Sequence, residues 1–438
     1  MNIILLSGGS GKRLWPLSNE IRSKQFIKLF KHNDQYESMV QRVYRQIKSV
    51  DKDADITIAT SKTQVSSIHN QLGNDVSISI EPCRRDTFPA IVLATAYLHD
   101  IKGIELDETV VVCPVDPHVD DSYFEMIKKM DDLAKQGSSN LYLMGIEPDH
   151  PSEKFGYIIP TSKDEVSKVS EFKEKPTEEI AKKYIEQGAL WNGGVFAYKI
   201  GYVLEIAHKL IDFVDYQDLF EKYEEVNKIS FDYAVAEREK DITVVRYTGQ
   251  WKDLGTWDAF VNAMEDESIG NAIIGSNCKN VHVINELDIP ILCVGLQDIV
   301  VSASPDGILV SDKEKSTGIK SLVDSIEGPI MFAEKSWGEY RVIDVEDESR
   351  TIKVTLRKGH QMNYHSHEHR NEVWTIVSGI GVATVNGRKY ELVPGDTIKL
   401  PIGCKHTIYA VTDLQLIEVQ SGKDITVQDK IKYSLETM

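Results

Sequence analysis

The chain has 438 residues, which by length alone allows about three domains. Hydrophobic residues make up 41% and charged residues 27%, with 28 Gly and 14 Pro, which excludes a disordered, collagen-like or low-complexity chain. The formal net charge of −18 excludes a general binder of nucleic acid or anionic membrane, so any phosphate must be met by a local basic cluster. The cysteines number five, with no C-x-x-C pair, which argues against a disulfide framework or a thiolate zinc site and predicts a reducing, cytoplasmic setting. Only residues 3–6 form an apolar run before the N-terminus turns glycine-rich, so neither a signal peptide nor a membrane span is expected.

Residues 1–262 alternate short apolar runs with amphipathic stretches. Strands are predicted over 3–6, 56–59, 76–80, 110–113 and 141–144, and helices over 36–49, 62–72, 87–99 and 122–136. That alternation predicts a doubly wound, Rossmann-like α/β domain. Residues 166–176 read as a strand, and the stretch that follows as a helix with Thr177 as its N-cap. Residues 263–328 change character. VHVIN, PILCVG and DIVVSASPDGILVSD are short β-branched runs broken by Asn, Asp and Gly, which predicts a β-rich, solenoid-like linker domain. Residues 329–438 alternate strand-like runs with turn signals, among them Asn386-Gly387 and Pro394-Gly395-Asp396, and predict a small all-β barrel or jelly roll.

The segment after the first predicted strand reads SGGSGKRLWPLSNEIRSKQ. Gly8, Gly9 and Gly11 allow close approach of backbone amides to phosphate oxygens. Lys12, Arg13, Arg22 and Lys24 concentrate positive charge in an acidic chain. The spacing is neither a P-loop nor a dinucleotide fingerprint, and fits a mononucleotide triphosphate.

This loop resembles the signature of the sugar-1-phosphate nucleotidyltransferases, in particular the mannose-1-phosphate guanylyltransferases, with Ser23 where the family has proline before the lysine. The resemblance continues through Glu81-Pro82-Cys83-Arg84-Arg85-Asp86-Thr87-Phe88-Pro89-Ala90, with Asp86 for the usual Asn and Arg85 read as the motif arginine. It continues through Val111 to Asp116, Gly145, Phe155 to Ile158, Glu174-Lys175-Pro176, Trp191-Asn192-x-Gly194 and Trp251-x-Asp253-x-Gly255-x-Trp257. The family often has His directly after the metal-binding Asp, whereas here Pro117 intervenes before His118. The resemblance implies nucleotide binding by Ser7, Gly8, Gly9, Gly11, Lys12, Glu81, Arg85 and Thr87. It implies catalytic roles for Arg13, Lys24, Asp116 and Asp253, the two aspartates holding Mg²⁺ between the α-phosphate and the incoming sugar phosphate. Gly156, Glu174, Lys175 and Asn192 are implied for the sugar 1-phosphate. The reaction is then an in-line displacement at the α-phosphorus, driven by positioning and electrostatics without a covalent enzyme intermediate.

Near the C-terminus the spacing is Gly359-x5-His365-x-His367-x4-Glu372-x6-Gly379, followed by Gly395-x5-Pro401-x-Gly403-x2-His406. It resembles both halves of the cupin motif, with Ala410 in place of the trailing Asn. His365 and His367, two apart, face one side of a strand. With Glu372 and His406 they suit Zn, Mn, Fe or Ni. His369 has the same parity but falls outside the motif spacing and is expected outside the ligand set. A guanylyltransferase followed by a cupin resembles the bifunctional enzymes whose cupin is a type II mannose-6-phosphate isomerase. Lys335-Ser336-Trp337-Gly338-x-Tyr340 and Ile417 to Gly422 support this. Family positions differ at His365, Glu368 and Lys335-Ser336. Arg370 is a candidate for phosphate recognition, and the isomerase base is not identifiable.

The expected function is guanylyl transfer from GTP to mannose 1-phosphate, giving GDP-mannose and pyrophosphate, with isomerisation of mannose 6-phosphate in the cupin. The alternative is another pair of nucleotide and sugar 1-phosphate, with a non-catalytic cupin used for sugar sensing or assembly. No nucleic-acid or membrane partner is expected, and a homo-oligomer is left open.

Overall fold

The computed structural model describes residues 1–9, 12–326, 328–423, 425, 426 and 429–434, residue 12 by its backbone only. Gly11 and the Lys12 side chain therefore lie outside the described residues. Contacts divide the chain into two compact units: Met1–Ser10, Gln25–Val65 and Asp75–Glu265, and then Gly11–Lys24, Ser66–Asn74 and Asp266–Met438. No helix among the described residues is long and apolar enough to cross a membrane.

The first unit is built on a nine-stranded sheet. Its order is Ser77–Glu81, Asp55–Ser61, Asn2–Leu6, Thr109–Pro114, Leu190–Lys199, Leu141–Ile146, Ile242–Tyr247, Val166–Lys173, Tyr157–Pro160. The first four strands are mutually parallel, and Leu190–Lys199 runs antiparallel to both of its neighbours in that order. The sheet is thus mixed, not purely parallel. All five predicted strands are present, because each is a β-branched or leucine-rich run with residues buried at its centre. The helix predicted over 36–49 starts later, at Met39, because Gln35–Ser38 pairs with Lys28–His32 as a hairpin. Ser38 then caps the helix in a reciprocal capping box with Gln41. Ser122–Gln136 spans the predicted helix and ends on Gly137 at a left-handed φ of 69°. Thr177 is the N-cap residue of Glu178–Glu186, but its side chain makes no capping hydrogen bond.

In the second unit the strands Ser268–Ile269, His282–Asn285 and Ile299–Ser304 stack in parallel, as do Ala272–Ile274 and Ile291–Cys293. Gly307–Asp312 closes the first stack antiparallel. Val281, Val283, Cys293 and Val301 fill the small core between them. Further on, a six-stranded and a five-stranded antiparallel sheet follow. Their core holds Trp374, Leu356, Leu416 and Ile408, all fully buried. Asn386-Gly387 turns the hairpin Gly381–Val385/Arg388–Leu392 with both residues at positive φ, as the two-residue primed turn demands.

Candidate active site and metal centre

The first unit opens a cleft at the C-terminal edge of its parallel strands, where open α/β sheets bind their ligands. Gly8, Gly9, Glu81 and Thr87 line a cavity of about 430 Å³ together with Ser61 and Lys228. Ser7 is buried beneath it. The Gln25 amide and the Thr60 hydroxyl donate to the Ser7 carbonyl at 3.1 and 3.3 Å, and the Gln64 amide donates to the Gly9 carbonyl at 3.1 Å. Three side chains therefore anchor the loop from below. Neither Thr60 nor Gln64 belongs to a motif, so only the folded arrangement reveals them.

Arg84, not Arg85, lines this cleft, and donates to the Gly9 carbonyl at 3.3 Å. Arg85 turns away and donates to the carbonyl of Glu224. The sequence reading takes Arg85 as the motif arginine. Asp86, at a φ of 72°, caps Thr87–Ala96 and accepts from the Thr87 amide at 2.8 Å, which sets where the two arginines point. Glu81 accepts from the Tyr223 hydroxyl at 3.0 Å, and burial raises its carboxyl above the usual range.

Asp116 and Asp253 come together through a two-stranded ladder. Pro117–Val119 pairs antiparallel with Trp251–Asp253, and Asp253 lies opposite Pro117. A side chain at Gly255 would press on the Asp253 carboxylate, at 3.2 Å from Oδ2. His118, the next residue on the ladder, is pushed down to about 4 by burial, Arg42 and Lys252, so it is neutral at pH 7. Half-buried Asp116 and exposed Asp253 are hard oxygen donors on adjacent backbones, a set that fits Mg²⁺.

The four residues predicted for the sugar phosphate include three that converge. A Cβ on Gly156 would lie 2.5 Å from Glu174 Oε2 and 3.3 Å from Asn192 Cβ, so only glycine fits between them. The Lys175 ammonium pairs with Glu174 at 2.7 Å. The Asn192 amide donates to Asp232 at 2.7 Å. Asp232 was not legible in the sequence, where it is one aspartate among many. Burial and the neighbouring Glu174 raise it to about 6. Phe155, Trp191 and Trp251 pack with ring centroids 4.7 to 6.3 Å apart and tie this cluster to the strand that carries Asp253.

The loop segment Gly11–Lys24 groups with the second unit. Exposed Arg13 and half-buried Lys24 are carried on it. Arg22 is not a free phosphate cation: it is buried and forms a two-pronged pair with Glu286 at 2.8 and 2.9 Å. Asn19 accepts from the amides of Ile21 and Arg22 and donates to Asp306 at 2.7 Å. Ser304 donates to the Pro16 carbonyl at 2.6 Å. These bonds pin the segment to the stacked strands.

In the C-terminal sheets, His365, His367, Glu372 and His406 are all buried, and their potential ligand atoms lie within 4.8 Å of one another. His365 and His406 face each other across the ladder between His365–Ser366 and His406–Ala410. Each imidazole donates from Nδ1 to a backbone carbonyl: Asn363 at 2.6 Å, Asp429, and Cys404 at 2.9 Å. A carbonyl can only accept, so Nδ1 carries the proton and Nε2 presents its lone pair to the centre. His406 Nε2 is buried with no hydrogen-bond partner, although it lies 3.3 Å from Glu372 Oε2. Glu372 accepts from the Arg370 guanidinium at 3.0 Å and from the Trp374 indole at 3.2 Å. Burial, Lys430 and His406 push His365 down to about 2, so it stays neutral. Arg370 donates to His367 Nε2 at 3.2 Å, and the three imidazole nitrogens and the carboxylate together are a donor set that fits a divalent cation. His369 is exposed and stands outside the set. Arg370 donates to Glu372 at 3.0 Å, to Asp429 at 3.3 Å and to the Thr426 carbonyl at 3.0 Å, and it lines the cavity beside the cluster.

Comparison with known proteins agrees with this two-part layout. The family described as nucleotidyl transferase matches residues 2–268, and the one described as mannose-6-phosphate isomerase C-terminal matches residues 331–434. Mannose-1-phosphate guanylyltransferase ManC of Salmonella typhimurium is 28% identical, with 98% of this chain and 96% of that protein covered. Xanthan biosynthesis protein XanB of Xanthomonas campestris pv. campestris is 30% identical, with 98% and 97% covered. A Thermus thermophilus crystal structure described as "mannose-1-phosphate geranyltransferase" superposes with a TM-score of 0.61 at 25% identity, over 74% of this chain and 98% of that one. The chain belongs to the nucleotidyl transferase family, and its last hundred or so residues match the mannose-6-phosphate isomerase C-terminal family.

Proposed function

We propose that the chain transfers the guanylyl group of GTP to mannose 1-phosphate, releasing pyrophosphate and forming GDP-mannose. The ladder that sets Asp253 opposite Pro117, beside Asp116, carries the reading. Mg²⁺ held by these two carboxylates supplies charge neutralisation at the α-phosphate. The glycine loop presents its backbone to the triphosphate. Arg13 and Lys24, assigned by the loop signature, offset the charge that grows on the leaving pyrophosphate. Gly156, Glu174, Lys175 and Asn192 orient the sugar phosphate so that its oxygen meets the α-phosphorus in line. Relatives of similar length named for guanylyl transfer to mannose 1-phosphate support this pairing.

The second activity we assign is interconversion of mannose 6-phosphate and fructose 6-phosphate. His365, His367, Glu372 and His406 would hold a divalent transition metal that polarises the sugar oxygens. We read residues 1–262 as the transferase domain, 263–328 as a short solenoid-like linker and 329–438 as a cupin jelly roll.

The test is pyrophosphate release by the full chain with Mg²⁺, crossing GTP, ATP, UTP and CTP with mannose, glucose and heptose 1-phosphates. Selective turnover of GTP with mannose 1-phosphate is expected. Selective turnover of another pair contradicts the assignment of base and sugar while leaving the mechanism in place.

A further inference from the structure

The cavity beside the His/Glu cluster measures about 320 Å³, and its wall is unusually basic for a chain of this acidity. Lys335, Arg350 and Lys430 line it from three separate segments, and Trp337 and Tyr340 line it as well. Among the described residues none of the three cations makes an ion pair. Lys335 lies over the Tyr340 ring at 5.6 Å. Arg350 keeps a buried Nε without a partner and only a long bond, 3.4 Å, to the Ile425 carbonyl. No hydrogen bond among the described residues engages the Lys430 ammonium. Burial depresses all three, and nearby cations add to it: Lys432 at Lys335, Arg370 at Arg350, and Arg370 with Lys335 at Lys430, where Glu418 and Glu372 pull the other way. Unpaired, half-buried cations facing one cavity are costly unless an anion completes them.

The two carboxyls on the wall do not supply that anion. Glu372 belongs to the His/Glu cluster itself and accepts from the Arg370 guanidinium, the Trp374 indole and the Gln420 amide. Glu418 accepts from the Gln420 amide at 2.5 Å, and among the described residues it forms no ion pair with any of the three cations.

We propose that Lys335, Arg350 and Lys430 form the cradle for the phosphate of a phosphorylated sugar whose other end faces the His/Glu cluster. The inference rests on the reading of this domain as a sugar-phosphate site, and adds these three residues to Arg370, which lines the same cavity. Ser66, at the start of the helix Val65–Leu72, lines the same cavity. That helix is held there by the Asn70 amide, which donates to the carbonyls of Lys335 at 2.8 Å and Gly338 at 3.0 Å. The cradle therefore takes a wall residue from far outside residues 329–438.

The experiment is calorimetric titration of the full-length protein with mannose 6-phosphate, for wild type, Lys430→Met, Lys430→Arg and Arg350→Gln. Isomerisation and guanylyl transfer are measured on the same samples. Lys430→Met and Arg350→Gln are expected to weaken binding at least tenfold with guanylyl transfer unchanged, and Lys430→Arg to restore most of the affinity. Wild-type-like binding in both charge-removing variants, or no binding by the wild type, overturns the cradle. Wild-type binding that is lost in these variants, without any isomerisation, supports the cradle and overturns only the isomerase reading.

Discussion

Asp253 lies across a two-stranded ladder from Pro117, the residue that follows Asp116. Backbone pairing, not side-chain chance, thus holds the two carboxylates as neighbours. Asp253→Asn keeps the size and removes half of the anionic donor pair. It should lower guanylyl transfer by about a hundredfold or more while leaving any isomerase activity intact. Parallel assays of pyrophosphate release and mannose 6-phosphate turnover check this. Loss of both activities would mean the two sites are not independent.

Asp232 is a titration marker for the sugar site. Burial first, and then the Glu174 carboxylate, raise it to about 6, against the opposing Asn192 hydrogen bond and Lys175. In the window from about 4 to about 6 the folded protein keeps a proton here that the unfolded chain has lost. Stability from this group therefore falls as pH rises through that window. Asp232→Asn can still accept from Asn192, and should flatten that slope and stabilise the protein at pH 7 by about 2 kcal/mol. It should also raise the KM for the sugar phosphate. Chemical denaturation at pH 4.5 and pH 7 reads the first effect; an unchanged pH slope would contradict it.

Glu286 neutralises Arg22 in the interior of the second unit. Burial alone would lower the guanidinium pKa, and Glu286 more than offsets it. Glu286→Ala leaves a buried charge short of its main partner and should cost about 3 to 5 kcal/mol. The double variant Arg22→Met/Glu286→Leu should recover much of that loss. Thermal melts of the three proteins decide it, and a Glu286→Ala protein as stable as the double variant would show that the pair does not anchor the loop segment.

Glu372→Gln removes the one carboxylate of the His/Glu cluster. Metal content measured by plasma emission after dialysis should drop well below that of the wild type, with guanylyl transfer unchanged. Full retention of metal would remove Glu372 from the ligand set.

Much of this was legible because the signals were local. Strand 141–146 and helix 122–136 declare themselves by periodicity, and the buried cluster of His365, His367, Glu372 and His406 by spacing. Other features were not. The hairpin at 28–38 hid the start of a helix, since residues 36–38 suit either element. The choice between Arg84 and Arg85 depends on one backbone angle at Asp86, which two adjacent arginines in a sequence cannot reveal. Arg22 looked like part of a basic phosphate loop because its partner, Glu286, lies far along the chain. Asp232 and Lys430 escaped for the same reason: a lone charged residue gains meaning only from what long-range folding places around it.

In the proposed reaction the sugar-phosphate oxygen bonds to the α-phosphorus of GTP, and pyrophosphate leaves. Isotope tracing tests this step: mannose 1-phosphate carrying ¹⁸O in its phosphate is supplied with GTP and Mg²⁺, and the products are analysed by mass spectrometry. Attack by the sugar-phosphate oxygen at the α-phosphorus gives GDP-mannose that retains the whole label and pyrophosphate that carries none. Label in the pyrophosphate, or no GDP-mannose at all, would contradict it.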